Sequence, residues 1–379
     1  MKKTVSIVLI CLIIMAGVPK NYAWAEKSLE LESKSVVLLE ASSGEVLYEK
    51  NTTERRIPAS VTKLMTLLLL FEAVDKGEAS LSDTVTASAH AASMGGSQIW
   101  LKESEQMTVS DMLKAVCVVS ANDCAVALAE QIAGSEDAFV ERMNQRAKEL
   151  GMNDTTFKNA TGLPARGHVT SAYDIALMSR QLLKYHPLIK NYTTIWMDTV
   201  RDGQFGLSNT NKLVRFYDGT TGLKTGYTSA AGHCLSASAE RNGMELIAVV
   251  LHCASSTDRF ESAKALLNYG FSNYALVTPE PGELPAVPVT LGTSMEITPV
   301  LADETPILID KALAAGVETR ACVDESVTAP VEAGQTLGTL TITSGGQTIA
   351  ERDLIAPEAV GALRWGDVYL QMLRALCMG

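Results

Sequence analysis

The sequence predicts an α+β protein: an antiparallel sheet flanked by helices with a helical subdomain, followed by a small all-β domain and a C-terminal amphipathic helix. Three features predict this architecture. Strand-like runs at both ends of the region up to residue 277 enclose a long stretch of helical periodicity. Prolines cluster between Pro279 and Pro288, and short alternating runs follow them. Residues 357–379 return to a helical pattern.

Composition supports two folded domains and excludes some functions. Of the 379 residues, 47% are hydrophobic, which is enough for two cores. The net charge of −11, with no basic run, argues against a nucleic-acid-binding protein. The 7 cysteines and 5 histidines are dispersed without ligand spacing. We therefore expect mostly buried free thiols and no metal.

Residues 1–25 have the features of a secretory signal peptide. Two lysines precede an apolar stretch over residues 5–18, and Ala-Trp-Ala at residues 23–25 supplies a cleavage site. The alternative is an uncleaved N-terminal anchor, although the apolar stretch is short for a membrane span. We therefore predict an exported protein.

A β-hairpin and a buried helix open the first domain. Ser35–Glu40 and Val46–Glu49 are strand-like and flank a Ser-Ser-Gly turn. The segment between Pro58 and Gly77 is apolar almost all round. Because these two residues are typical of helix entry and exit, we predict one buried helix between them.

Four further helices are predicted between residues 108 and 185. Most begin at a capping residue and carry an apolar stripe. Their bounds are Thr108–Val119, Asp123–Ala133, Ser135–Leu150 and Ser171–Tyr185. They form the helical subdomain beside the sheet.

Two antiparallel strands close the first domain, and shorter ones make up the second. Gly232–Ala239 and Leu246–Leu251 are joined by a tight Asn-Gly turn. The strand-like runs of the second domain are Val289–Leu291, Pro306–Ile309 and Gly338–Ile342. The C-terminal helix has one narrow polar stripe, so its wide apolar face must be buried on the β domain or in a membrane surface.

Ser60 and Lys63 form the only Ser-x-x-Lys pair of the chain, at the start of the buried helix. Three residues apart on a helix, they share a face. A serine hydroxyl is a weak nucleophile unless a base accepts its proton, and lysine is that base only when it is neutral. Burial favours the neutral form; lowering the pKa from about 10.4 to about 7 costs about 4 kcal/mol. Alone, such a pair is also common on solvated helix faces.

Two more polar motifs follow. Ser120–Asn122 lies on a loop after a helix, where a serine can pass a proton and an amide can bind a peptide group. By itself it is more typical of a helix-to-helix turn with Asn122 or Asp123 as N-cap. Lys224–Gly226 lies on a glycine-rich strand. There a lysine can offset negative charge and a threonine can hydrogen-bond to a carboxylate. The glycine lets the backbone approach the substrate closely. By itself it is also typical of an exposed edge strand.

The order and surroundings of the three motifs resemble the serine-type D-alanyl-D-alanine carboxypeptidases, the low-molecular-weight penicillin-binding proteins. Ala121 stands where the family motif has aspartate. The resemblance covers about residues 34 to 275 and includes Asn159–Leu163, Gly222–Thr228 and Arg259–Ser262. It implies a β-lactamase/transpeptidase-like fold with the active site between sheet and helical subdomain. The implied divisions are a D,D-peptidase domain over residues 26–277, a small β-rich domain over 278–356 and a membrane-associating helix over 357–379.

The resemblance also implies a role for each motif residue. Ser60 attacks the carbonyl between the last two D-alanines of a peptidoglycan stem peptide, Lys63 is the base, and Ser120 relays the proton. The backbone N–H groups of Ser60 and Tyr227 form the oxyanion hole. The implied substrate-binding residues are Asn122, Lys224, Thr225, Gly226, Tyr227 and Arg259. No cofactor is needed, and β-lactam antibiotics are covalent inhibitors of Ser60.

The implied location is the outer face of the cytoplasmic membrane, with the C-terminal helix lying on it, in the cell wall or periplasmic space. Two alternatives remain. A serine β-lactamase needs an efficient deacylating group, for which Glu136 and Glu141 are the candidates. A catalytically silent wall-peptide-binding protein has no need of both Ser60 and Lys63.

Overall fold

A computed structural model describes residues 29–366 and residue 369. The chain divides into Met1–Glu30 and a compact unit, Leu31–Gly379. The predicted signal peptide and most of the predicted C-terminal helix lie outside the described residues.

The strands of the compact unit are β1 (Ser35–Glu40), β2 (Val46–Lys50), β3 (Thr84–Thr86), β4 (Gln106–Thr108), β5 (Met197–Val200), β6 (Phe205–Ser208), β7 (Thr220–Thr228), β8 (Gly232–Arg241), β9 (Met244–Cys253), β10 (Tyr274–Val277), β11 (Val287–Thr290), β12 (Glu296–Ile297), β13 (Val300–Leu301), β14 (Ile307–Asp310), β15 (Val317–Val323), β16 (Val327–Thr328), β17 (Thr336–Ser344) and β18 (Gln347–Ile355).

The α-helices are α1 (Lys63–Asp75), α2 (Ala89–Ala92), α3 (Val109–Val118), α4 (Asn122–Ala133), α5 (Glu136–Glu149), α6 (Ala172–Tyr185), α7 (Lys190–Thr193), α8 (Leu213–Phe216), α9 (Ser256–Asn273) and α10 (Lys311–Ala314). Short 3-10 helices span Ala59–Thr62 and Pro187–Ile189.

A five-stranded antiparallel sheet in the order β2-β1-β9-β8-β7 forms the centre of the unit. This confirms the predicted α+β class. Every residue of β1 is buried, so helices cover both faces. On one face Gly270 of α9 lies against Leu38; on the other, Val37 and Leu39 join the core that contains α1 and α6. The sheet is therefore a rigid middle layer.

The helical subdomain packs its apolar stripes around α1. The predicted helices agree with α3 to α6 to within a residue or two at each end, and Ser135 and Ser171 cap α5 and α6 as side-chain acceptors. The predicted buried helix begins as the 3-10 turn Ala59–Thr62 and continues as α1. Cys117, Cys124, Cys234 and Cys253 are free and buried, as expected, whereas Cys322 is free and exposed.

The second domain contains a three-stranded sheet, β12-β11-β16, and a four-stranded sheet, β13-β18-β17-β15. The predicted strand at Pro306–Ile309 does not belong to either. It is β14, which pairs with β10 across the predicted boundary at residue 277. Lys311 Nζ also donates to the Phe271 carbonyl at 2.8 Å. Main-chain and side-chain hydrogen bonds therefore tie the β-rich segment to the end of α9.

The predicted C-terminal helix begins later than Pro357. Residues 357–364 are not helical: Val360 bridges to Val331, and Ala362 bridges to Gly292. Helical conformation starts at Trp365. The prediction of a start at Pro357 is wrong because backbone pairing with residues far away in the chain outweighs the local apolar periodicity. Within the described part of the chain, no helix has both the length and the hydrophobicity to cross a membrane.

The packing of α1 predicts how two leucines of this helix differ. Leu67 is 1% exposed, whereas Leu69 is only partly buried. Leu67→Ala should lower the free energy of unfolding by about 2–5 kcal/mol, because it leaves a cavity in the core. The same change at Leu69 should cost about 1 kcal/mol. Urea denaturation of both variants checks this; equal losses would contradict the buried arrangement of α1.

Candidate active site

Gly162 packs against the turn that carries Ser60. Ala59, the residue before Ser60, has φ +48°, a left-handed conformation that is costly for alanine. Gly162 packs directly on it: a Cβ at position 162 would lie 1.8 Å from the Ala59 carbonyl oxygen. Only glycine fits there, at φ +84°. The Asn159–Leu163 turn therefore fixes the position of the serine.

The amine of Lys63 lies at the centre of the site. The side chain is fully buried. Nζ lies 3.1 Å from Ser60 Oγ, 2.6 Å from Asn122 Oδ1 and 2.7 Å from Thr161 O. The two carbonyl oxygens can only accept, so they take N–H bonds from the amine. A neutral amine has two N–H groups, and its lone pair is then left for the serine hydroxyl.

Burial favours the neutral form of this amine. Desolvation lowers the pKa of Lys63 well below its usual value, and the charge of Lys224 lowers it further. The carboxylate of Asp123 acts in the opposite direction but is the smallest of the three contributions. The structure confirms the prediction that this lysine is buried, and the lowered pKa agrees in direction with its predicted role as a base.

The second motif approaches Lys63 from the start of α4. Asn122 is the first residue of that helix, one residue earlier than predicted, and its Nδ2 donates to Gly95 O at 2.6 Å. This bond turns Oδ1 toward Lys63. Ser120 lies on the connecting loop, as predicted, with φ +65°. Its Oγ is buried and has no hydrogen-bond partner among the described residues. A strained, unpaired hydroxyl at a site of this kind is available to a reacting group.

The third motif lies on β7, the edge strand of the central sheet. Lys224 is almost completely buried and donates to Thr225 O at 3.0 Å. Burial lowers the pKa of Lys224 to about 7; the nearby Cys117 thiol opposes this and the Arg259 charge adds to it. The Thr225 hydroxyl is 2.7 Å from that of Thr210.

Gly226 brings β7 against the serine turn. A Cβ at position 226 would lie 3.1 Å from both Pro58 O and Ser60 N. The next residue, Tyr227, has a side chain that is 58% exposed and stacked on His233. The peptide groups of Ser60 and Tyr227 are therefore near neighbours, as the predicted oxyanion hole requires.

Arg259 lies below the edge strand on α9. Its Nη1 donates to Gly226 O and Cys234 O, both at 3.3 Å, and its Nη2 donates to Ser256 Oγ at 3.1 Å. Only 6% of the residue is exposed. Its predicted contact with a substrate carboxylate stays a prediction.

Sequence reasoning missed four groups that hold this arrangement. The Thr161 carbonyl binds Lys63, and Gly162 supports the serine turn. Asp123 accepts from the backbone N–H groups of Ile99, Leu101 and Cys124 and so fixes the loop beside the second motif. The Thr210 hydroxyl binds that of Thr225. Thr161 and Gly162 lie within the Asn159–Leu163 turn that the resemblance includes, and Asp123 adjoins Asn122, so only Thr210 carried no signal in the sequence.

Among residues 29–366 and 369, no group of three or more His, Cys, Asp or Glu side chains has the geometry to hold a metal ion. The groups brought together are instead a hydroxyl, a buried amine with a lowered pKa, an unpaired second hydroxyl and a strand edge. This set can activate a serine for attack on a carbonyl and bind the developing oxyanion. It defines a serine-type acyl-transfer site.

Comparisons with known proteins agree with this class. The sequence profile of the D-alanyl-D-alanine carboxypeptidases, peptidase family S11, matches residues 22–255. The profile of the C-terminal domain of penicillin-binding protein 5 matches residues 282–362. The chain therefore belongs to the D-alanyl-D-alanine carboxypeptidase family, the serine carboxypeptidases of cell-wall metabolism.

Individual relatives match most of the chain. It is 42% identical over 368 residues to the D-alanyl-D-alanine carboxypeptidase DacF of Bacillus subtilis, with 94% of each chain covered. Penicillin-binding protein 5 of Haemophilus influenzae is similar in structure, with a TM-score of 0.75 and 30% identity over 88% of this chain and 99% of that one. Ampicillin-bound penicillin-binding protein D2 of Listeria monocytogenes has a TM-score of 0.59 and 33% identity over 64% of this chain and 99% of its own.

Gly162 offers a test of the serine turn. Gly162→Ala should reduce the rate of acylation by a fluorescent penicillin about 100-fold, because the new methyl group must displace the Ala59–Ser60 backbone. Gly151→Ala is the matched control, since Gly151 has φ +74° but open space around it. It should lower stability by about 1–2 kcal/mol through backbone strain and leave acylation unchanged. Similar acylation rates in the two variants would argue against a support role for Gly162.

Proposed function

We propose that this protein removes the terminal D-alanine from peptidoglycan stem peptides through an acyl-enzyme on Ser60. The observation that carries the proposal is the coordination of the Lys63 amine. Two carbonyl acceptors use its N–H groups, and the remaining position faces Ser60 Oγ at 3.1 Å. A buried neutral amine in this position is a general base.

The first half-reaction forms the acyl-enzyme. As Ser60 Oγ bonds to the carbonyl carbon between the two D-alanines, its proton passes to Lys63. The N–H groups of Ser60 and Tyr227 bind the oxyanion, which exists only in the transition state and the tetrahedral intermediate. The C–N bond then breaks, and the proton reaches the amine of the departing D-alanine by way of Ser120.

The second half-reaction restores the serine. Water attacks the ester carbonyl and gives a proton back through Lys63 to Ser60 Oγ, which releases the shortened peptide. Asn122 holds the substrate's peptide group, and Lys224 and Thr225 bind its terminal carboxylate. A β-lactam enters by the same first step, and the acyl-enzyme it forms clears slowly. The ampicillin-bound relative supports this part of the proposal.

No observation favours the β-lactamase alternative. Glu136 accepts from the Ala160 backbone N–H at 2.9 Å and pairs with His90 at 2.8 Å. Its carboxylate thus holds the Asn159–Leu163 turn in place.

We further propose that the protein is exported and works at the outer face of the cytoplasmic membrane. The signal-peptide features of residues 1–25 and the apolar side chains that recur in the sequence from Trp365 onward support this proposal.

The lysines predict the pH dependence of acylation. The rate should rise with pH as Lys63 loses its proton, with a midpoint well below the usual lysine pKa. Lys224→Gln should raise the pKa of Lys63 and move this limb to higher pH, because the charge of Lys224 lowers that pKa. Stopped-flow acylation by a penicillin from pH 5 to pH 10 (~0.5-unit steps) measures both profiles.

Lys190→Gln is the control for this experiment. Lys190 pairs with Glu240 and Glu245 and is not among the charges that act on Lys63. Its profile should match that of the wild type. If the acid limb of the pH–rate profile lies at the same pH in Lys224→Gln and in the wild type, the electrostatic effect of Lys224 on Lys63 is contradicted.

D-Alanine release tests the proposed function directly. The full-length protein should release D-alanine from a peptide ending in D-Ala-D-Ala, and Ser60→Ala should abolish both this release and penicillin acylation. Ser43→Ala, on the β1–β2 turn, should do neither. A folded wild-type protein that acylates with penicillin but releases no D-alanine would redirect the proposal to cross-linked peptides. One that does neither would refute it.

A further inference from the structure

The guanidinium of Arg259 occupies an unusual position for a residue that binds a substrate. It extends from the first turn of α9, which a capping box between Ser255 and Asp258 fixes in place. The guanidinium lies 4.6 Å from the ring centroid of Phe260 and is bound by Ser256 Oγ. With 6% of the residue exposed, its charge lies within the protein, beneath the sheet.

The carbonyls that Arg259 binds belong to facing residues of two strands. Gly226 on β7 and Cys234 on β8 are register partners, and Nη1 donates to both carbonyl oxygens at 3.3 Å. Arg259 therefore bonds to both strands of the β7–β8 pair. One of the two residues it binds, Gly226, is the residue that lies against Ser60 N.

One peptide group connects Arg259 to the site of reaction. The Gly226 carbonyl and the Tyr227 N–H belong to the same planar unit, in which the two groups of a trans peptide point in opposite directions. Because Gly226 O points toward β8 and Arg259, the Tyr227 N–H points away from β8. β7 is the edge strand, so that direction leads off the sheet toward the serine turn.

We propose that Arg259 is a positioning residue of the oxyanion hole. It fixes the Gly226–Tyr227 peptide and polarises it, so that the Tyr227 N–H is aimed at the substrate carbonyl and donates more strongly. In this proposal the Thr225 hydroxyl and Lys224 bind the substrate carboxylate, and Arg259 does not contact it. This inference deepens the proposed function and rests on it.

A peptide boronic acid ending in D-boroalanine separates the two roles of Arg259. Its boronate bonds to Ser60 and places an oxygen in the oxyanion hole, but it lacks the terminal carboxylate of the substrate. In the full-length protein, Arg259→Ala should weaken boronate binding at least tenfold and lower kcat for the D-Ala-D-Ala peptide, with a smaller change in KM. Thr225→Val should instead raise KM and leave boronate affinity unchanged.

Addition of guanidinium ion distinguishes positioning from general damage. It should restore boronate affinity to Arg259→Ala by refilling the cavity, and Arg259→Lys should retain less activity than the rescued protein, because a lysine cannot bond to both carbonyls. If Arg259→Ala does not fold, Ser256→Ala replaces it, since it removes only the Nη2 partner. A lowered boronate affinity in that variant supports the proposal, and an unchanged one overturns it.

Two other results overturn the inference. One is an Arg259→Ala protein with a raised KM and unchanged boronate affinity, which would make the arginine a carboxylate ligand. The other is a folded variant that guanidinium does not rescue. Loss of the proposed function is separately visible, because the wild-type protein would then neither release D-alanine nor bind the boronate.

Discussion

The site depends on burying one amine without leaving it unpaired. The Lys63 amine donates to Asn122 Oδ1 and Thr161 O and lies 3.1 Å from Ser60 Oγ. When the amine is neutral, its lone pair faces the serine hydroxyl. An ammonium there has three N–H donors and no lone pair, and it loses its hydration as well. The apolar α1, the start of α4 and the Asn159–Leu163 turn must all be in place for the amine to be held this way.

Charge around the site is arranged to keep the two lysines reactive. Lys63 and Lys224 are both buried, and burial lowers the pKa of each. The charge of Lys224 lowers the pKa of Lys63 further, and the Asp123 carboxylate opposes this shift. The Asp123 carboxylate also gathers three backbone N–H groups of the adjoining segments. Buried charge of this kind costs stability, and the large core around α1 offsets that cost.

The edge strand β7 lies directly beside the reactive serine turn. An open edge strand normally invites unwanted pairing with other chains. Here Gly226 brings the edge of β7 against the serine turn, and Arg259 holds the same peptide from below. In the proposed mechanism, a substrate carbonyl beside Ser60 would meet backbone donors that need no rearrangement during the reaction.

Much of this protein follows from its sequence. Local signals, such as caps, apolar stripes and the Asn-Gly turn, determined the helices and the long strands, and the spacing of the Ser-x-x-Lys pair determined that Ser60 and Lys63 meet. The tertiary structure alone decided the rest. It paired β14 with β10, kept residues 357–364 out of a helix and assigned the Thr161 carbonyl to Lys63. Each of these depends on backbone groups, which every residue carries alike, so no side-chain pattern can reveal which distant partner they find.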